Sequence, residues 1–353
     1  MGTTGTSQLR QSAITPTPSL VLHPERDPLR VLASTQQLVS SAQHVGINAA
    51  AIATTAARIS AGETPPLDWR PDLHPAASDP AAMATLVLVL DALNFCFWPL
   101  PTTTQPRWQI TWQGETHNGY WALAVALRRG LANGYPLADA TYLAGISEDD
   151  LRSILAPDPG CAEIPLLHAR LHHLHEVGAT LLERWDGTFL TAIQRANGSA
   201  VQLLLEVLRA LPSFRDVSEI DGHELHFYKR AQILIADLVG AFNGNGPGAF
   251  HDLHTLTAFA DYKVPQVLRG FGILTYSEHL IALLQRRALL PPDSVEEVEI
   301  RAATVWAVEL LRQALANDGH DHPAWTLDGI LWHAGQTLAG DAEPYHRTLT
   351  VWY

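Results

Sequence analysis

The sequence predicts a mainly α fold carrying a small β-hairpin element. Apolar residues recur at helical spacing along most of the 353 residues, and strand-like alternation is scarce. Only residues 98–116 join prolines to an alternating run, Trp108-Gln109-Ile110-Thr111-Trp112, and these predict the hairpin. No unit of about 20 to 50 residues repeats, which disfavours a solenoid.

Residues 1–25 are rich in Thr, Ser and Pro, lack a basic-then-apolar signal pattern and predict a flexible leader. Residues 26–353 predict the folded body, as one domain or as two helical lobes with a break near residues 156–161, where Pro157, Pro159 and Gly160 interrupt the pattern. Leu32, Leu38, Val39, Val45, Ile52, Ala56 and Ile59 predict helix across residues 32–60, stopped at Gly62. Pro65, Pro66, Pro71, Pro75 and Pro80 mark a bent connection into a buried helix at residues 81–95. Helices follow at residues 120–130, 148–155 (with Ser147 as N-cap), 165–183, 188–196, 200–211 and 228–242. The last ones fall at residues 253–261, 265–271, 277–287, 294–317 and 326–336. The loop at residues 243–248 (NGNGPG) lacks the Lys and Ser/Thr of a phosphate-cradling loop.

Composition excludes several classes of function. With Asp+Glu 36 against Lys+Arg 23, the net charge of -13 repels polyphosphate and disfavours broad nucleic-acid or anionic-membrane binding. A small anion in a local basic pocket stays compatible. No apolar run approaches the roughly 18 residues needed to span a bilayer. Cys96 and Cys161 form neither a disulfide framework nor a zinc spacing, so a soluble, cytoplasmic protein is predicted. The cluster of His168, His172, His173 and His175 lacks the glutamate of a His-Glu-x-x-His site and reads as a solvated face. A Gly-x-Ser-x-Gly elbow is absent, which gives no ground for a serine triad.

The densest polar and aromatic region is residues 213–266. Lys229 and Lys263 are the only lysines in the chain, and each follows a tyrosine. They read either as point charges placed in a site or as ordinary helix-surface lysines. Asp237 falls on nearly the same helix face as Lys229, inside an apolar run. A carboxylate there is costly unless paired, so it is a structural partner of Lys229 or Arg230, or a site residue. Asp261 closes a predicted helix just before a turn holding Pro265; it projects into a cleft or caps the next helix. Residues 91–98 set Asp91 and Asn94 against Phe95, Phe97 and Trp98, a surface suited to a planar heterocycle or to a core. His44, on an apolar stretch, reads as a core histidine or a proton donor.

Several segments then carry a resemblance. Residues 91–98 (DALNFCFW), 119–123 (GYWAL), 164–167 (IPLL), 212–216 (PSFRD), 228–237 (YKRAQILIAD), 257–268 (TAFADYKVPQVL), 299–309 (EIRAATVWAVE) and 346–353 (HRTLTVWY) stand in this order. From about residue 32 onward the chain resembles the queuosine salvage proteins, once known only as a domain of unknown function. The resemblance implies a helical fold related to the helix-hairpin-helix DNA glycosylases, with residues 261–266 at the hairpin but without its Gly-x-Gly. It also implies hydrolytic release of queuine, a substituted 7-deazaguanine, from queuosine 5'-monophosphate, with no metal and no organic cofactor.

Residue roles follow from that chemistry. Asp261 is expected as nucleophile or stabiliser of the oxocarbenium-like sugar, with Glu299 in reserve. Asp237 is expected to read the guanine-like edge or the ligand's secondary amine. Phe97 and Phe214 would stack on the base, and Lys229, Lys263 and Arg215 would meet the 5'-phosphate. Asp216, Tyr228 and Tyr262 complete the expected substrate-binding set. A 7-deazapurine has no N7 to protonate, and His44 is the expected candidate for supplying a proton elsewhere. Two rival classes share the features: a DNA or RNA base glycosylase, and a non-catalytic queuine-binding protein.

Overall fold

A computed structural model describes residues 14–60, 62, 69–336 and 342–353. Residues 1–13 of the expected leader, and Pro65 and Pro66 of the expected bent connection, lie outside the described residues. The remainder of the leader is tied to the body: Thr15 N donates to Thr275 Oγ1 at 3.0 Å and Thr17 Oγ1 accepts from Ile47 N at 3.3 Å.

The chain is mainly helical. It runs through α1 (Val31–Ser40), β1 (Val45–Ile47), α2 (Ala49–Ser60) and α3 (Pro80–Ala92), then the hairpin β2 (Gln109–Trp112) and β3 (Glu115–Asn118). There follow α4 (Gly119–Ala132), α5 (Ala140–Gly145), α6 (Glu148–Ile154), α7 (Leu167–Arg184), α8 (Phe189–Arg195) and α9 (Ala200–Ala210). A second hairpin, β4 (Val217–Ile220) and β5 (His223–His226), leads into α10 (Lys229–Ala241). The chain ends with α11 (Lys263–Gly270), β6 (Leu274–Tyr276), α12 (Glu278–Gln285), α13 (Val295–Asn317) and α14 (Ala324–Gln336). Short polar side chains start many of these helices by accepting an orphan N–H, among them Asp79, Ser147, Thr188, Ser199, Ser277 and Ser294.

Two helices are buried all round and organise the rest. In α3 every residue from Met83 to Ala92 is buried, and it packs on α4, α7, α8 and α10. In α13 burial is unbroken from Glu297 to Glu309, and it packs on α1, α2, α11 and α14. α3 is apolar nearly all round, as a core helix must be. α13 buries its charged side chains only with partners: Arg301 with Asp216, Glu297 with Tyr353 and Glu299 with backbone amides. The C-terminal segment joins the two groups. Leu290 N donates to Arg347 O, Cys96 N donates to Tyr353 O (both 2.8 Å), and Tyr353 Oη donates to Glu297 Oε1 at 2.7 Å.

The expected helix over residues 32–60 is broken by β1, which pairs antiparallel with β6 through Val45–Tyr276 and Ile47–Leu274. Glu299 creates the break by accepting the backbone N–H groups of Gln43, His44 and Val45 at 2.7–3.1 Å. Gly46 permits it, because a Cβ there would stand 2.0 Å from Thr15 O. The expected helix over residues 253–261 is also absent. Only the 3₁₀ turn Leu253–Thr255 forms, and extended chain follows, with Thr257 N and Phe259 N donating to the side chains of Gln232 and Asp328. Residues 156–161 are pinned to the first hairpin: Asp158 N donates to Gln109 O, and the Asp158 carboxylate accepts from Thr111.

Candidate active site

The site begins where α3 ends. The C-terminal carbonyls of a helix need donors, and here two buried arginines supply them. Arg230 donates to the carbonyls of Asp91 and Ala92, while Arg170 donates to those of Leu93, Phe95 and Cys96. Phe95 stacks against both guanidinium groups, at 4.2 Å from Arg170 and 5.2 Å from Arg230. This packing fixes the turn after α3 and directs Asn94 and Phe97 into a cavity of about 520 Å³. Residues from the α3 turn, the start of α4, α10, the start of α11, α14 and the C-terminal segment line that cavity, so it lies between the two buried helices.

Its polar interior is one lysine among carboxylates. Lys229 starts α10, where Asp216 accepts its backbone N–H at 3.0 Å and is itself held by Arg301 at 2.5 Å. Burial lowers the Lys229 pKa, while Asp261 and Asp91 oppose that shift. Asp261 Oδ1 accepts the N–H groups of Lys263 (2.9 Å) and Val264 (2.8 Å), which caps α11 and fixes the carboxylate plane. Burial raises its pKa, and Lys229 and the two amides favour the ionised form against it. Asp328 accepts from Phe259 N at 2.9 Å, and burial followed by the charge of Asp261 drives its pKa well up. Burial lifts Asp237 to about 7, against the Tyr120 hydroxyl and Lys229. Behind it, burial and then Asp237 push the Asp91 carboxyl up strongly.

The walls are aromatic. Trp121 and Trp332 face each other at 5.6 Å, Tyr120 meets Trp332 at 5.8 Å, and Trp69 stacks on His74 at 3.6 Å. At the other end Tyr262 and Tyr345 lie 4.9 Å apart beside Lys263 and Arg107. Arg107 makes no hydrogen bond or ion pair among the described residues, and its Nε is buried. Among those residues no group of three His, Cys, Asp or Glu side chains is placed to hold a metal ion.

Of the residues expected from sequence, the cavity gathers Phe97, Lys229, Asp237, Asp261, Tyr262 and Lys263. The others stand elsewhere. Phe214 is fully buried under the Arg230 guanidinium, 4.7 Å away. Arg215 donates from Nε to Leu208 O at 2.6 Å. Asp216 pairs with Arg301, and Tyr228 stacks on His226 at 5.3 Å, just before α10. His44 Nδ1 lies 3.2 Å from Ser277 Oγ, and Glu299 serves the β1 amides. Sequence reasoning missed His74, Arg107, Tyr120, Trp121, Asp328 and Trp332; only Tyr120 and Trp121 fell inside a segment already singled out, GYWAL.

Comparison with known proteins finds relatives that match most of the chain. A relative from Sphaerobacter thermophilus named queuosine 5'-phosphate N-glycosylase/hydrolase is 50% identical over 93% of this chain and 98% of its own length. Relatives of the same name from Bos taurus and Schizosaccharomyces pombe are 38% and 32% identical, over 80% and 74% of this chain and 84% and 77% of theirs. The family model described as queuosine salvage protein matches residues 73–353, a span that contains every residue lining the cavity except Trp69. The chain therefore belongs to the queuosine salvage protein family.

Proposed function

We propose that this protein hydrolyses the N-glycosidic bond of queuosine 5'-phosphate and releases queuine. The observation that carries this is the fixed Asp261 carboxylate, which shares an aromatic-walled cavity with Lys229 and a second, differently perturbed carboxyl at Asp237. Glycoside cleavage needs negative charge beside the sugar as it becomes cationic, and another group to serve the leaving base. Oδ1 of Asp261 is committed to two backbone amides, so Oδ2 is the oxygen available to the sugar C1' or to the attacking water. A planar 7-deazaguanine would use the aromatic lining of Phe97, Trp121 and Trp332, with Asp237 at its polar edge.

The 5'-phosphate belongs at the opposite end. Lys263 and Arg107 face one cavity there; Lys263 Nζ donates to Gln266 Oε1 at 3.1 Å, and the carboxylate that acts on it is Asp261. Two cations sharing a cavity in a chain of net charge -13 suit an anion. Arg107 thus takes the place that the sequence reading gave to Arg215. The acidic surface supports a free nucleotide over a polymer, and the two free cysteines suit a cytoplasmic location. We read the frame as a relative of the helix-hairpin-helix glycosylases, with the capped start of α11 at the hairpin position; sequence resemblance supports that reading.

The test is incubation of purified protein with queuosine 5'-phosphate and chromatography of the free base. Catalytic release of queuine is expected. Stoichiometric binding without turnover would favour the carrier reading, and preferential action on tRNA or DNA the polymer reading.

A further inference from the structure

Three side chains on the cavity wall form a chain whose hydrogens can be counted. His74 Nδ1 lies 2.8 Å from the carbonyl oxygen of Arg70. A carbonyl only accepts, so Nδ1 carries a hydrogen. His74 Nε2 lies 2.9 Å from the Tyr120 hydroxyl, and that hydroxyl lies 2.7 Å from Asp237 Oδ2. The hydroxyl owns one hydrogen. With a neutral imidazole, Nε2 must accept it, and the short contact to Asp237 then needs a hydrogen on the carboxyl. With an ionised Asp237, Tyr120 donates to it instead and His74 must be a cation. The chain therefore holds one movable proton, at one end or the other.

The surroundings decide which end. His74 is 2% exposed and faces Arg70 and Arg128, while the neighbouring Asp72 carboxylate is already engaged by Arg70 at 2.6 Å. Burial drops its pKa to about 4. Asp237 faces Asp91 on α3, whose Oδ2 is buried without a partner, and Lys229 on its own helix. Separating charge across two buried groups costs more than keeping both neutral.

We propose that Asp237 is the proton donor to the leaving base, kept in its acid form by His74 acting through Tyr120. This rests on the hydrolase reading above. As the bond from C1' to N9 breaks, its electron pair goes to the base, and the Asp237 hydrogen passes to an acceptor on the base, whose position 7 is carbon. Water bonds to C1', its surplus proton leaves by way of Asp261, and a proton from solvent restores Asp237. Asp237 is then a catalytic residue, and Tyr120 and His74 are positioning residues.

The test is the pH profile of kcat/KM on queuosine 5'-phosphate. An acid donor is lost as pH rises through its pKa. The Asp237 value of about 7 applies when Tyr120 donates to the carboxylate, so with that hydrogen held by His74 the wild-type alkaline limb is expected above 7. His74→Phe keeps a ring against Trp69 but removes the acceptor, which frees the Tyr120 hydrogen to stabilise the ionised carboxyl. The limb then moves to lower pH by roughly one unit. His74→Gln restores an acceptor oxygen and the limb returns towards wild type. In a Tyr120→Phe background His74→Phe moves the limb no further. A limb unmoved by His74→Phe, or moved equally with Tyr120→Phe present, overturns the proposal. Infrared spectra at neutral pH give a reading independent of turnover: the difference between wild type and Asp237→Asn is expected to show a protonated-carboxyl C=O band, which separates Asp237 from the raised carboxyls of Asp91 and Asp328. If that band is absent, the proton assignment fails even in an active hydrolase. If it is present in a protein that releases no queuine, the hydrolase reading fails instead.

Discussion

The Tyr120 hydroxyl stands 2.7 Å from Asp237 Oδ2, joining the first turn of α4 to α10 across the wall of the cavity. The contact shows how the site is built. Each carboxylate in it has one oxygen committed to a neighbour, and its position is set by a helix that packs on a buried helix. Asp261 is held by the amides of α11, Asp328 by Phe259 N and Asp237 by Tyr120. At Asp261, where Lys229 and two amides favour the ionised form, this supplies the pre-set charge that a developing sugar cation requires.

Arg107 and Lys263 are predicted to set the preference for a phosphorylated substrate. Replacing Arg107 by Gln should lower the ratio of kcat/KM for nucleotide over nucleoside by roughly 10- to 100-fold, the range for one hydrogen bond to a charged group. Arg107→Lys should recover part of that ratio. Parallel progress curves on queuosine 5'-phosphate and queuosine check this, and an unchanged ratio places the phosphate elsewhere.

Glu299 is predicted to stabilise the fold and not to act in the reaction. Its carboxylate accepts the backbone N–H groups of Gln43 and His44, just before β1, and of Val45, its first residue. Glu299→Gln should cost about 1–3 kcal/mol in unfolding free energy, because an amide presents one acceptor where the carboxylate presents two. Chemical denaturation measures the cost, and kcat per folded molecule should stay near wild type.

Gly46→Ala is predicted to detach the N-terminal segment. The added methyl would stand 2.0 Å from Thr15 O and 2.9 Å from Thr275 Oγ1, so backbone has to move. A loss of about 1–3 kcal/mol is expected, together with faster proteolysis of residues 14–25. Resistance equal to wild type would show that the segment is not held by β1.

Acid should remove the stability contributed by buried neutral histidines, while the raised carboxyls of Asp91, Asp237 and Asp328 act in the opposite direction. Burial pulls His173 and His346 to about 3 and His74 to about 4, all below their unfolded value. The unfolded chain therefore binds protons that the folded chain refuses as pH falls below 6.5, and stability drops by about 1.4 kcal/mol per unit for each such group. The three contributions are complete above that pH. The difference in thermal midpoint between wild type and His173→Gln, followed from pH 7 to pH 4, isolates one histidine from the carboxyls; a difference that does not change with pH contradicts the claim.

Much of the helical frame was legible because its punctuation is local: Ser147, Thr188, Ser199, Ser277 and Ser294 sit one residue before their helices and cap them. β1 was hidden because its partner β6 and its anchor Glu299 lie far along the chain, and Val45 and Ile47 also suit a helical face. Lys229, Asp237, Asp261 and Lys263 stood out as scarce or costly residue types in one region, and the cavity collects them. His74, Arg107, Asp328 and Trp332 gave no such signal, since they reach the site from three separate stretches, the last two from α14, and only tertiary packing makes these neighbours. Phe214 and Arg215 stood out by lying in the same polar and aromatic region, yet α9 and the buried Arg230 take up their side chains. Residue type shows which side chains are unusual, whereas which of them face the cavity depends on non-local contacts.

The decisive measurement is queuine release from queuosine 5'-phosphate by Asp261→Asn beside wild type, with ligand binding followed by quenching of the cavity tryptophans. The expected result is a fall in kcat of at least about 10²–10³-fold with binding retained, since the change removes charge from the oxygen facing the sugar and leaves an acceptor for the α11 amides. An Asp261→Asn protein that turns over at the wild-type rate would contradict it and move the chemistry to another carboxylate in the cavity.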